Sequence, residues 1–311
     1  MGQLRSIETR MMEAQQRWGV VLKRKTNTEA AGPCPFCGLA DEDGFLVFCD
    51  GGYWCRQCDA KGWINENDPN AEPPTKEQRE EWRIRRLEQK QRELEQRLRY
   101  LEEMHHCEDH LAYHNNLTPT AREYWWREGI YDDAIERYLL GYCTQCPTYS
   151  QSASYTIPVF DRQHQLVNIR HRLVSPNGGK YRPHRAGLGN HLYNSALLNE
   201  RRERILVVEG EKKSIVVTEA GFPAVGICGK RAFKSEWLRW FDTAREVVIA
   251  LDPDARDSAW RLGEIFAKHG HRARVACMPA KPDDMIVKHG ASSTNIEGFL
   301  RVARPVRVRV N

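Results

Sequence analysis

What the 311-residue chain lacks narrows the field first. No apolar run approaches the roughly 20 residues needed to span a membrane; strand-like runs such as Ile205-Leu-Val-Val208 are far too short. Arg5, Glu8, Arg10 and Glu13 interrupt the amino-terminal segment, so it has no apolar centre of a secretory signal. These absences predict a cytoplasmic protein without a membrane partner. A Walker A loop is missing as well. Gly229-Lys230 has neither the upstream glycine nor the following Ser or Thr, which excludes an NTP-driven motor of that class. Charge of one sign is not in large excess either: 47 basic against 42 acidic residues leave only +5. The distribution says more than the sum. Residues 155–195 carry Arg162, Arg170, Arg172, Lys180, Arg182 and Arg185 against the single acid Asp161, a local surplus suited to a polyanion. A solvated hairpin surface is the bland alternative.

Between Lys76 and Glu103 there is no glycine or proline, and nine basic and eight acidic residues alternate. Ile84, Leu87, Leu94, Leu98 and Leu101 recur at three- and four-residue spacings, with Gln91 in one place of the seam. The pattern predicts one unbroken helix over 76–113. At ~1.5 Å per residue it would extend roughly 57 Å. It is either a solvated spacer or a face for self-association or a partner helix.

Ten cysteines are present. In a reducing compartment they read as metal ligands or spare thiols rather than disulfides. Cys34-Pro-Phe-Cys37 and Cys55-Arg-Gln-Cys58 are two CxxC knuckles separated by the segment 38–54, the pattern of a four-sulfur zinc site. Residues 45–49, the turn Asp50-Gly51-Gly52 and Tyr53-Trp54 supply a hairpin between them. Four cysteine ligands close the coordination shell, so this Zn²⁺ is structural. Tyr53, Trp54, Arg56, Lys61 and Trp63 on the ribbon are the residue types that stack on and track single-stranded nucleic acid, although such ribbons also dock proteins. Cys143-Thr-Gln-Cys146 follows His105, His106, His110 and His114 but has no matching pair, and Cys49, Cys107, Cys228 and Cys277 read as ordinary small apolar residues.

From residue 205 short apolar strands (205–208, 224–228, 247–251, 273–278) alternate with amphipathic helices (212–220, 235–242, 255–269), the signature of a mainly parallel sheet. Functional residues then belong at the carboxyl ends of the strands. Glu209, Asp252 with Asp254, and Asp283 with Asp284 each follow such a strand. Carboxylates gathered at one rim repel one another unless divalent cations sit among them, which is what phosphoryl transfer uses. Scattered solvent-facing acids are the alternative.

Together these segments resemble a DnaG-type primase. The run CPFCG…YWCRQCDAKGW is similar to the four-cysteine zinc-binding domain of bacteriophage primases; in the cellular enzymes a histidine usually stands where this chain has Cys37. Residues 124–142 resemble the helical opening of the family's polymerase domain, 157–161 and 167–172 its strands, and Lys180-Tyr181 with Leu192-Tyr193 the close of its basic subdomain. VVEGEKKSIV, ALDPDARDSAWR and KPDDMIVKHG resemble the three TOPRIM motifs, with Lys281 where the last motif usually has an acid. The resemblance covers residues 33–65 and 117–290; the helicase module of some phage relatives has no counterpart.

It implies an α+β and α/β multidomain chain: a helical lead-in (1–30), a zinc ribbon (31–66), a linker with a long charged helix (67–113), a mixed α+β basic subdomain (114–204), a TOPRIM parallel-sheet domain (205–292), and a helix with a basic tail (293–311). It further implies a DNA-directed RNA polymerase making short RNA primers on single-stranded DNA from ribonucleoside triphosphates. Zn²⁺ would be structural and Mg²⁺ or Mn²⁺ catalytic, in a bacterial or phage-infected cell beside a separate replicative helicase. Glu209, Asp252 and Asp254 fall on the metal-binding acids, and Asp283 on the later catalytic acid. Arg170, Arg172, Lys180 and Arg182 would hold template and nucleotide, Lys212, Lys213, Lys230 and Arg231 phosphate, and the ribbon would read the start sequence. The rival readings are a TOPRIM metal-dependent nuclease and a non-catalytic nucleic-acid-binding protein.

Overall fold

The computed structural model describes residues 5–37, 43–64, 76–146, 152–174, 180–229 and 232–307; within 76–86 only the side chain of Ile84 is described. Lys230 and Arg231 lie outside the described residues, as does the end of the basic tail. The chain divides into two units, Met1–Gln89 and Lys90–Asn311.

In the first unit, α1 (Ile7–Trp18) starts at Ser6, whose hydroxyl accepts from the Thr9 amide, and stops at Gly19, whose φ of 68° only glycine adopts without strain. It is followed by an antiparallel five-stranded sheet in chain order: β1 (Lys23–Arg24), β2 (Glu29–Gly32), β3 (Phe45–Phe48), β4 (Gly52–Cys55) and β5 (Lys61–Trp63). The hairpin between β3 and β4 turns at Asp50, whose Oδ1 accepts from the Gly52 amide at 2.8 Å. The segment expected as a helical lead-in is therefore more than a helix. It supplies β1 and half of β2 to the ribbon's sheet, and the Arg10 guanidinium donates to the carbonyls of Cys49 and Asp50, each at 3.2 Å. Ile7, Ala14, Phe45 and Val47 share one small core.

Helix α2 (Lys76–His105) is 30 residues long and stops well short of the expected end at 113. Near its end Leu101, Met104 and Cys107 pack against Leu166, Ile169 and Leu188, a contact that the earlier seam residues do not share. Ile84, Leu87, Leu94 and Leu98 are exposed. The chain restarts as α3 (Asp109–Asn115), α4 (Pro119–Arg127) and α5 (Asp132–Arg137).

Two sheets follow in the second unit. The first is antiparallel in chain order: β6 (Gly141–Cys143), β7 (Ser154–Phe160), β8 (Leu166–Leu173) and β9 (Tyr181–Pro183). The second is built from β10 (Arg202–Glu209), α6 (Glu211–Glu219), β11 (Ala224–Ile227), a 3-10 helix (Ser235–Thr243), β12 (Ala244–Ile249), α7 (Arg256–Lys268), β13 (Ala273–Val275), α8 (Pro282–Val287), α9 (Ser293–Arg301) and β14 (Arg304–Pro305). Its order is β11-β10-β12-β13-β14, with every pair parallel except the last. The unbroken apolar run of β10 is explained by burial on both faces. Ile205 and Val207 pack with Phe241 and Phe266, while Leu206 and Val208 pack with Met285 and Leu300.

From β10 the chain crosses to β11 on one side, and from β12 to β13 on the other. The carboxyl ends of β10 and β12 thus flank a topological switch point, where open α/β sheets bind their ligands. A backbone bridge between Tyr193 and Gly226 ties this sheet to the segment leaving the antiparallel one.

Candidate active site

In the ribbon, the Sγ atoms of Cys34, Cys37, Cys55 and Cys58 all lie within 4.8 Å of one another, with Cys34–Cys58 at 3.8 Å and Cys37–Cys55 at 4.0 Å. A tetrahedral Zn²⁺ with bonds of ~2.3 Å sets its sulfurs roughly 3.8 Å apart, so the donor set fits that ion without rearrangement. Amides of Phe36 and Gln57 point at the sulfurs of Cys34 and Cys55, each at 3.4 Å. Burial pushes the Cys34 thiol up to about 12. At Cys55 burial acts in the same sense, but the amides of Cys58 and Gln57 outweigh it and bring the thiol down to about 7. A bound dication is what holds all four as thiolates together.

Around the knuckles, the candidate contact residues divide. Trp54 is exposed, its indole donating to Asp59 at 2.9 Å; Arg56 and Lys61 are exposed too, with Lys61 3.5 Å from Asp59. Tyr53 is half-buried, stacked on Phe36 with centroids 5.3 Å apart and set edge-on to Trp18. It belongs to an aromatic cluster that fills the ribbon.

In the second unit a cleft of about 520 Å³ opens between the antiparallel sheet and the carboxyl end of β10, lined among others by Arg172, Lys180, Glu209, Lys213, Lys281 and Asp283. Its floor depends on glycine. Gly210 turns β10 into α6 with φ of 97°, and Gly226 lies so close that a Cβ there would stand 2.6 Å from the Gly210 carbonyl oxygen.

The acids of the rim are matched to lysines. Lys213 reaches Asp252 Oδ2 at 2.9 Å and the Glu209 carbonyl at 3.1 Å, and Lys281 stands 3.8 Å from Asp252. Lys212 pairs with Asp283 at 2.8 Å and with Glu128. Burial lowers the Lys212 pKa, but the charge of Asp283 and its hydrogen bond outweigh that and raise it, so the ammonium stays charged. The expectation that only divalent cations could relieve this cluster is therefore corrected: Lys212 and Lys213 neutralise the acids internally. Both ammonium groups are engaged by these carboxylates.

Asp252 and Asp283 are buried, and each keeps one carboxylate oxygen, Oδ1, without a hydrogen-bond partner. Such atoms are costly unless something fills the position, and the chemistry of a carboxylate rim suits a hard cation. Asp254, by contrast, is exposed on a 3-10 turn. Among the described residues, Glu209, Asp252 and Asp254 do not draw their oxygens into one cluster within 4.8 Å, as the cysteines do.

Of the basic residues, Arg170 pairs with Glu211 at 3.1 Å, and Arg172 lies over the Tyr124 ring at 4.8 Å and 3.8 Å from Glu128. Lys180 is exposed at the cleft, and Arg182 follows it on β9, donating to the Tyr181 carbonyl at 3.3 Å. Three residues of the site escaped sequence reasoning: Glu128, Glu211 and Lys281 as a partner of Asp252. The signal for Glu211 was local, one place past Gly210. Nothing in the spacing joins Glu128 to a lysine 84 residues away.

No protein-family model matches this sequence, and no curated protein matches it. Solved structures do. A DnaG primase catalytic domain bound to single-stranded DNA is 19% identical over 68% of this chain and 83% of its own, with a TM-score of 0.55. The Escherichia coli primase catalytic core is 18% identical over 63% and 78%, at 0.53. The zinc-binding and RNA polymerase domains of the Aquifex aeolicus primase are 15% identical over 91% and 81%, at 0.54. The chain has the fold of a DnaG-type primase, with a zinc-binding domain ahead of the catalytic core.

Proposed function

We propose that the protein is a DNA primase, a nucleotidyltransferase that makes short RNA primers on single-stranded DNA. The observation that carries the reading is the cleft at the carboxyl end of β10, where the buried Asp283, one oxygen of which lacks a hydrogen-bond partner, lies with Glu209 across from Arg170 and Arg172 of the antiparallel sheet, on the fold of proteins of that kind. In this reading the parallel sheet is a TOPRIM domain. Glu209, Asp252 and Asp254 would hold Mg²⁺ or Mn²⁺, with Asp283 alongside, and such ions supply charge neutralisation on the triphosphate and activation of the attacking hydroxyl.

The chain's own residues then do the following. Arg170, Arg172 and Lys180 line the basic side of the cleft and, with Arg182 on β9, hold template and triphosphate by charge. Lys213 fixes the Asp252 carboxylate through Oδ2, leaving Oδ1 without a hydrogen-bond partner, and Lys212 does the same for Asp283. The cleft walls set the nucleotide's α-phosphorus in line with the 3′-hydroxyl of its neighbour. Oxygen–phosphorus bond formation then expels pyrophosphate. Lys230 and Arg231 follow Gly229, which lines the cleft, and are proposed as phosphate contacts. The ribbon selects the start sequence through Trp54, Arg56 and Lys61, with Tyr53 backing them. A phage-type enzyme of this design works beside a separate replicative helicase in the cytoplasm. No described helix is long and apolar enough to cross a membrane.

The test is incubation of the purified chain with single-stranded DNA of mixed sequence, labelled ribonucleotides and Mg²⁺ or Mn²⁺. Short template-dependent oligoribonucleotides are expected. Shortened template would establish the nuclease instead, and retention of template without either product would leave a binding module.

A further inference from the structure

Cys107 lies in the turn after α2, Asp109 opens α3 two places on, and His184 directly follows β9. The fold brings them together from distant stretches of the chain: the Cys107 Sγ, a carboxylate oxygen of Asp109 and a ring nitrogen of His184 all lie within 4.8 Å of one another. We propose that these three residues form a second metal site, which takes Zn²⁺ and leaves its fourth position to water.

Three observations beyond proximity support it. First, the His184 ring is oriented. Nδ1 lies 3.1 Å from Nε2 of the buried His171, whose Nδ1 lies 2.9 Å from the Ser154 Oγ. Nε2 is turned the other way, 3.3 Å from Asp109 Oδ2. Metal-binding histidines are held by such a hydrogen bond at the second ring nitrogen, which fixes tautomer and ring plane. Second, the charges balance: one thiolate and one carboxylate neutralise a dication, with a neutral imidazole as third ligand, so the ion is not left as a buried net charge. Third, the surroundings are asymmetric. Cys107 packs against Met104 and Leu188, and Tyr113 covers the two histidine rings edge-on, whereas Asp109 is exposed. That leaves one open side for entry and for the water. The mix of sulfur, nitrogen and oxygen donors suits Zn²⁺ and excludes Mg²⁺ or Ca²⁺, which take oxygen. The ion would pin the end of α2 to the strand carrying Arg182. It is built from Cys107, which its sequence context marks only as an ordinary small residue, while the nearby CxxC of Cys143 and Cys146 takes no part.

The experiment uses the full chain with the ribbon already loaded with zinc, titrated with Co²⁺ under reducing conditions. The expected result is one further equivalent of Co²⁺ per chain with a thiolate-to-cobalt charge-transfer band. The band is lost in Cys107→Ser, and binding is weakened tenfold or more in Asp109→Asn, whose exposed side chain can be exchanged without disturbing the core. Thermal melting of the metal-free variants against the metal-free parent separates loss of binding from loss of fold. No uptake beyond the ribbon's zinc, or an unchanged band in correctly folded Cys107→Ser, would overturn the proposal.

Discussion

The ribbon and the acidic cleft both concentrate negative charge, and they resolve it in opposite ways. The ribbon's four sulfurs converge with amides behind them and, among the described residues, no lysine or arginine at the sulfurs. Its fold is complete only with a cation inside. Of the cleft's acids, Asp252 and Asp283 are each met by a lysine from α6, and each keeps one oxygen without a hydrogen-bond partner. In the proposed reading a metal is thus part of the structure in one region and of the chemistry in the other. The difference follows from ligand reach: CxxC turns bring sulfur to sulfur within a single short turn, whereas carboxylates at strand ends need long side chains to span the gap.

Removing the ribbon's zinc should produce the largest effect. Structural zinc contributes on the order of 10 kcal/mol to the folding of small domains. Chelation, or Cys55→Ser, is expected to abolish the first unit's melting transition while leaving that of the second in place, as read by calorimetry. If both transitions vanished together, the contrast between the regions would fail. Next comes Lys212→Met, which strands the buried Asp283 beside Glu128. Breaking a buried pair costs about 3 kcal/mol, here lessened because Lys212 retains some exposure. Urea unfolding should show that loss in the second unit alone. Replacement of Trp54 by Ala removes one stacking face and should weaken single-stranded DNA binding by about 1–3 kcal/mol, measured by fluorescence anisotropy, without loss of zinc.

The smallest effect concerns pH. Burial, with Lys234 and Arg97 adding repulsion, pulls His191 down to about 4 from an ordinary value of 6.5. Its folded pKa is depressed, so below pH 6.5 the unfolded chain takes up the proton first. The contribution of His191 is fully present above pH 6.5 and is lost as pH falls toward 4. Relative to the parent, His191→Leu should lose part of the stability slope between these pH values in thermal melts.

The two regions also differ in how much of them the sequence discloses. The ribbon's ligands and hairpin are written between Cys34 and Cys58, and spacing alone sets their geometry. The parallel sheet is equally legible, because strands buried on both faces need unbroken apolar runs such as 205–208. Legibility ends where contacts cross the chain. The pairing of Lys212 with Glu128, of Arg170 with Glu211, and of Lys281 with Asp252 joins residues 29 to 84 places apart in the chain, which no local pattern encodes. The end of α2 at His105 was hidden for a related reason. The segment to 113 stays free of glycine and proline, and the contacts that Leu101, Met104 and Cys107 make with Leu166, Ile169 and Leu188 lie far along the chain. The strands β1 and β2 carry too few apolar residues to announce that the amino-terminal segment completes the ribbon's sheet.

The central claim is that nucleotidyl transfer occurs at the lysine-held acids. It is tested most directly by primer synthesis with Asp252→Asn beside the parent chain, at matched zinc content and at a temperature where both are folded. The substitution keeps the side chain's shape and removes the charge that Lys213 orients. The account predicts that synthesis falls by about 10²–10³ with zinc content and the first unit's melting unchanged, while the broken Lys213 pair lowers the second unit's melting. Undiminished synthesis by a folded Asp252→Asn protein would contradict it.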